Sequence, residues 1–298
     1  MTKEELIKAA VKEYIDSNYS VSLTQLGKKY GVRRQTISEY VKKQGVEVVN
    51  VQNLCRLNEN VFENIDTEEK AYWLGFLFAD GCIYQNEKRF RINLAIKDKD
   101  HLEKFAKFLN FTGDIREFEG SGFRNEKDKR FKSCCIQFRN SKIWNDLNSK
   151  GCTPNKSLTL KFPDLSIFKS EDLVRHFIRG YVDGDGWLTN SKNKNTYKQQ
   201  IGAIGTPEFL KGLNDYIKPV NGSIKSKDSE DHPNKAYMIV YHCVAARQVA
   251  RYLYEDATIY LERKYNKYRE FCSFEEGSSR VKSSKIGRDW NVNTEVSA

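Results

Sequence analysis

The sequence predicts an α+β protein in which two halves of order α-β-β-α-β-β-α follow a small all-α domain. Three observations carry that prediction. An apolar run ending in Asp-Gly occurs twice, as AYWLGFLFADG (Ala71 to Gly81) and HFIRGYVDGDG (His176 to Gly186). The same 105 residues separate Asp80 from Asp185 and Gly75 from Gly180. Each run is followed by helix and strand patterns in the same order, whereas the first 48 residues carry only helical signals.

A chain of 298 residues suits two or three domains. Its net charge of +10 and pI of about 9.1 favour a polyanionic partner. The seven cysteines are odd in number and contain no C-x-x-C pair, which argues against a zinc ribbon or a disulfide framework and for reduced, mostly buried thiols. The N-terminal MTKEELIKAAVKEY is amphipathic and charged, unlike a signal peptide, and no apolar run reaches bilayer length. An intracellular, cytoplasmic protein with no membrane partner is expected.

In the all-α domain (1–48), Thr2 to Glu5 reads as a capping box opening a helix to about Asp16, with Leu6, Ala9, Ala10, Val11 and Tyr14 on its apolar side. Ser22 to Gln25 is a second capping box. Leu26 and Tyr30 lie one turn apart, and Gly31 can take the left-handed conformation that stops the helix. Val32 follows, then a helix with Ile37, Tyr40 and Val41 inward. This spacing resembles the helix-turn-helix family. In that family the start of the second helix enters the major groove, which implies contact through Arg33, Arg34, Gln35, Thr36 and Ser38. Residues 49–65 show no clean period and read as a linker.

In the first half (66–168), Asp66 or Thr67 can cap the motif helix. The strand RFRINLAIK alternates Phe90, Ile92, Leu94 and Ile96 with Arg89, Arg91, Asn93 and Lys97. DKDHLEKFAKFLNF reads as a helix, GDIREFE and FKSCCIQF as strands, and SKIWNDLNSKG as a helix. In the second half (169–274), QQIGAIGT, GSIKSK and AYMIVYH read as strands, with TPEFLKGLNDYI and VAARQVARYLYE as helices. Basic and amide side chains on the outward strand faces need a partner, and strand ribbons fit the major groove of duplex DNA. Arg89, Arg91 and Asn93 are the candidates in the first half, and Lys198, Gln200 and Lys225 in the second. Residues 275–298 are Ser-rich, poor in apolar residues and expected to be disordered.

A helix that is apolar on every side is buried on every side. Gly75 with Ala79, and Gly180 with Gly184, are small residues four apart, so each lies on one helix face. Through those faces the two motif helices can pack side by side at the centre of the molecule. Gly81 and Gly186 can stop them. Asp80 and Asp185 would then meet at carboxyl ends, where the helix dipole disfavours an acid by a few tenths to about 1 kcal/mol. A divalent cation with oxygen ligands would compensate, and two carboxylates with Mg²⁺ (or Mn²⁺) and phosphate are the parts of metal-assisted phosphodiester hydrolysis. The alternative is that each Asp only caps a turn.

LGFLFADG and IRGYVDGDG resemble the paired motifs of the LAGLIDADG homing endonucleases, over roughly residues 66 to 272. The resemblance implies two pseudo-symmetric halves with the motif helices as a shared core and the sheets as a saddle over double-stranded DNA. It implies metal held by Asp80 and Asp185, with the carbonyls of Ala79 and Gly184. Phe78 departs from the motif, which has an acid there, while Asp183 keeps it; that position is not implied to be a ligand. GCTPNKSLTL and YLERKYNKY resemble the family's basic segments, which implies Lys156 and Lys264 as charge stabilisers at the phosphorus.

The expected function is a site-specific, intron-encoded homing endonuclease acting as a monomer. A chain that starts at Met1 with a helix-turn-helix and ends in Val-Ser-Ala reads as free-standing rather than as an intein. The alternative is a non-cutting DNA-binding regulator or an intron RNA maturase on the same fold. The presence of both acids favours the nuclease over a regulator.

Overall fold

The protein was analysed as a computed structural model that describes residues 2–17, 21–46, 48, 56–85, 87–121, 130–193, 196–217, 222–226 and 237–277. The N-terminal domain consists of α1 (Lys3–Asp16), α2 (Leu23–Tyr30) and α3 (Arg34–Lys43). Both expected capping boxes form, Thr2 with Glu5 and Ser22 with Gln25. Gly31 is left-handed at φ 65° and ends α2. Ile7, Ala10, Val11, Tyr14, Leu26, Ile37 and Val41 close a separate core, against which Tyr40 is only partly buried.

The first half runs α4 (Glu68–Asp80), β1 (Gly81–Tyr84), β2 (Arg89–Ala95), α5 (Lys99–Phe108), β3 (Arg116–Ser121), β4 (Arg130–Arg139) and α6 (Ser141–Ser149). The second runs α7 (Asp172–Asp185), β5 (Gly186–Asn193), β6 (Thr196–Gly205), α8 (Pro207–Tyr216), β7 (Ser223–Ser226), β8 (Tyr237–His242) and α9 (Cys243–Tyr254), followed by α10 (Glu262–Gly277). Both antiparallel sheets share one topology, β1-β2-β4-β3 and β5-β6-β8-β7. The expected order of elements is therefore present twice.

The motif helices α4 and α7 are the centre of the core. Thr67 caps α4 by accepting from the Lys70 amide, while Asp66 pairs with the Lys70 ammonium at 2.7 Å. Every residue from Ala71 to Phe78 is buried. A Cβ added to Gly75 would lie 1.9 Å from the Phe177 carbonyl oxygen, and one added to Gly180 would lie 1.9 Å from that of Tyr72. Tyr72 and Phe177 are themselves equivalent positions of the repeat, so the two contacts are images of each other. Backbone meets backbone here, and only glycine leaves the room.

The structure corrects the sequence reading at the motif-helix ends, at Ile96, in the linker and at the C-terminal boundary. Gly81 and Gly186 do end the helices, but in extended backbone, and each begins a strand (β1 and β5) that the sequence reading did not locate. Their need for glycine is steric: a Cβ on either would meet a carbonyl oxygen at 2.6 Å. Ile96 lies beyond β2, in a single 3-10 turn. The expected linker is not free from residue 56 onward. Val61, Phe62 and Ile65 are buried in the main core, the Asn58 amide donates to the Leu109 carbonyl, and Ile65 bridges Phe168. Its few apolar residues are scattered without period among polar ones, which hides their burial from a pattern search. Residues 49–55 lie outside the described residues. Finally, α10 adds a helix beyond the repeat and extends past the expected boundary at 274; the rest of the expected tail, 278–298, lies outside the described residues.

Gly75→Ala should lower unfolding stability by about 3 kcal/mol, because a methyl group cannot enter a backbone contact without separating α4 from α7. Urea denaturation measures it, and a loss below about 1 kcal/mol would contradict the packing described.

Candidate active site and nucleic-acid interface

The glycine contact brings the carboxyl ends of α4 and α7 together. Gly184 lies against Ala79, and a Cβ on Gly184 would sit 2.3 Å from the Ala79 methyl carbon and 3.2 Å from Asp80 Oδ2. Asp80 is half-buried and Asp185 exposed at the same end of the pair. Burial first, and then the Asp185 charge, push the Asp80 carboxyl up to about 6, against the opposing pull of Lys264 and Lys156. Two neighbouring acids on two negative helix ends gather negative charge at one place.

Part of the compensating positive charge comes from the lysines, in a role the sequence reading did not foresee. Lys156 Nζ donates to the carbonyls of Ala79 (2.9 Å) and Gly81 (2.7 Å). Lys264 Nζ donates to those of Val182 and Asp183 (both 2.6 Å) and reaches Gly184 at 3.4 Å. The Ala79 and Gly184 carbonyls, implied as metal ligands, thus accept from ammonium groups. The lysines cap carbonyls at the helix ends, of which that of Val182 also accepts from the Gly186 amide. Lys264 is buried, and burial lowers its ammonium to about 8 despite Asp183 nearby, whereas Lys156 is half-exposed.

Asp183 is enclosed. Its carboxylate accepts from Tyr72 Oη (2.7 Å), Tyr254 Oη (2.6 Å) and the Leu261 amide (2.7 Å). It therefore fixes α10, and with it Lys264, against the motif helices. The sequence signal for this cluster is an acid in an otherwise apolar stretch at a position that the first half fills with Phe78.

The outward sheet faces carry the expected polar residues. In the first sheet, register places Arg89 opposite Arg139, Arg91 opposite Gln137, and Asn93 opposite Cys135, which in turn faces Arg116. Arg116, Gln137 and Arg139 thus join the predicted set on one face. Arg91 Nε donates to Asn93 Oδ1 at 2.8 Å, while Arg89 and Arg139 both pair with Glu87. In the second sheet Lys198 and Lys225 are exposed, and Gln200 lies 3.0 Å from His242 Nδ1. In the N-terminal domain Arg33, Arg34 and Gln35 are exposed at the start of α3, with Thr36 and Ser38 half-exposed beside them.

The chain resembles the LAGLIDADG homing endonucleases. Solved structures similar to it include the homing endonuclease I-WcaI bound to its DNA recognition sequence, at 15% identity and a TM-score of 0.48 over 73% of this chain and 98% of that one. The LAGLIDADG homing endonuclease I-GzeII in complex with its DNA target is another, at 16% identity and a TM-score of 0.44 over 72% and 93%. The N-terminal LAGLIDADG domain of WhiA is a third, at 11% identity and a TM-score of 0.39 over 70% and 87%. No family model matches. Two curated proteins of Methanocaldococcus jannaschii also match. One is an uncharacterised protein, 25% identical over 55% of this chain and 56% of its own length. The other is a probable translation initiation factor IF-2, 29% identical over 48% of this chain and 11% of its own length. The chain thus spans about half of the first and a tenth of the second.

The acid pair has a consequence for stability without metal. The folded protein holds the Asp80 proton more tightly than the unfolded chain does. That contribution is therefore present at low pH and is lost as pH rises through about 6. In EDTA, Asp80→Asn should raise the urea midpoint at about pH 8, and the gain should vanish toward about pH 4. Equal midpoints at the higher pH would contradict the crowding of the two acids.

Proposed function

We propose that the chain is a site-specific double-strand DNA endonuclease of the homing type, acting as a monomer with Mg²⁺ or Mn²⁺. The observation that carries this reading is the meeting of Asp80 and Asp185 at the ends of two equivalent helices whose next residues begin the two sheets. DNA lying along the sheets would be delivered to the acids by the same backbone that positions them.

The donor set fits a hard divalent cation. Asp80 and Asp185 offer carboxylate oxygens side by side, the donor type that hard divalent cations take. Such an ion, held by Asp80 and Asp185, would take its other ligands from water and phosphate and would supply a water of lowered pKa. Lys156 and Lys264 support the site by holding the helix-end carbonyls, which keeps the acids in register and offsets the helix dipoles. Arg91, Lys198, Gln200, Lys225 and their neighbours would contact base edges and phosphates, and Arg33, Arg34, Gln35 and Ser38 would add a second contact through the N-terminal domain.

Incubation with a randomised duplex library and Mg²⁺ tests the reading. The wild type should yield a defined set of cut sequences. Asp80→Asn and Asp185→Asn should each abolish double-strand cleavage by at least roughly a hundredfold while leaving binding intact. Full cleavage by either variant would refute the site, and binding without cleavage by the wild type would make the chain a non-cutting regulator.

The N-terminal domain is tested separately by Arg33→Ala/Arg34→Ala. Affinity for the selected duplex should fall roughly tenfold or more, with a shallower salt dependence. Unchanged affinity would remove this domain from the interface.

A further inference from the structure

The two motif helices do not bury the same chemistry on both sides of their pseudo-two-fold axis. Positions 105 residues apart are equivalent across α4 and α7, as the Gly75 and Gly180 contacts show. On one side, Tyr72 of the first half donates to Asp183 of the second. The image pair on the other side is Phe177 with Phe78, whose rings lie 5.0 Å apart edge to face. Likewise Arg179 Nη2 donates to Glu68 Oε1 at 2.6 Å, and Arg179 is completely buried. The positions equivalent to Glu68 and Arg179 are Leu173 and Leu74, both buried. Each polar pair takes one member from each half, and each has an apolar image.

We infer that Glu68–Arg179 and Tyr72–Asp183 form a pairing code that joins a first half to a second half and rejects two first halves or two second halves. The physical reason is what the alternatives would bury. Two first halves would set Glu68 against Leu74 and Tyr72 against Phe78, on both sides of the axis. Two second halves would set Arg179 against Leu173 and Asp183 against Phe177, again twice. Two first halves leave Glu68 without Arg179 and the Thr258 amide. Two second halves leave the buried Arg179 with own-half partners (the Leu253 and Ile259 carbonyls and His176) but without its carboxylate. A buried charge deprived of its opposite charge costs more than an apolar pair gains. Only the mixed pairing satisfies both groups, and there they are satisfied fully. Arg179 also donates to the Leu253 and Ile259 carbonyls, and Glu68 accepts from the Thr258 amide. A duplicated protein whose halves shared one apolar helix face would have no such preference. Between chains, the halves could exchange into like-with-like assemblies. The inference stands on the fold alone and does not depend on the nuclease reading.

The test uses the full chain carrying either of two purification tags. Equimolar tagged chains are unfolded together in urea, refolded by dilution, and captured by one tag. The wild type should bring down little of the other tag. Glu68→Gln/Arg179→Met and Tyr72→Phe/Asp183→Asn keep the side-chain volumes and remove the code, so each should bring down several-fold more. Glu68→Gln, Arg179→Met and the double variant are also compared by urea midpoint. The double variant should be more stable than the sum of the single losses predicts, because it leaves no buried charge alone. Capture equal to wild type in both double variants, or strictly additive midpoints, would overturn the inference. Neither outcome depends on DNA cleavage, so failure here is distinct from failure of the proposed function.

Discussion

The contact between Gly75 and the Phe177 carbonyl, with its image between Gly180 and the Tyr72 carbonyl, sets the distance between the two motif helices. No side chain separates the backbones at these points. The approach fixes where both helices end, and their ends carry Asp80 and Asp185. It also fixes where both sheets begin, since β1 and β5 start at the residue after each acid. One steric constraint thus couples the core, the acid pair and the outward strand faces, and a change in helix spacing would reach all three.

The same approach creates an electrostatic problem that the chain resolves only in part. Two helix dipoles point their negative ends at one place, and each helix adds a carboxylate. The lysines answer the dipoles by taking the last carbonyls of each helix. They leave the two carboxylates side by side, where burial first and then the Asp185 charge raise the Asp80 pKa.

The duplication is close in backbone and loose in chemistry. Glycines, acids and strand order repeat, whereas the residues flanking the helix contact do not. The two lysines also differ. Lys264 comes from α10, which has no counterpart in the first half, and is locked by the Asp183 cluster, while Lys156 reaches its carbonyls from a short turn. The two acid sites are consequently held by unlike surroundings.

The sequence by itself determined the repeat, the order of elements, the helical N-terminal unit and the identity of the acid pair. These were legible because each rests on local rules: capping boxes, strand alternation, glycine where a backbone must pass, and constant spacing. Only the tertiary structure decided the rest. A carbonyl has no letter, so Lys156 and Lys264 could be picked out but not placed on the helix ends. Val61, Phe62 and Ile65 lack a period because they fill gaps between elements instead of forming one face. Strands β1 and β5 follow a helix with no intervening turn, so no punctuation marks them. Arg179 sits in plain view within an apolar run, but its partner Glu68 is 111 residues away, and only folding brings a charge and its answer together.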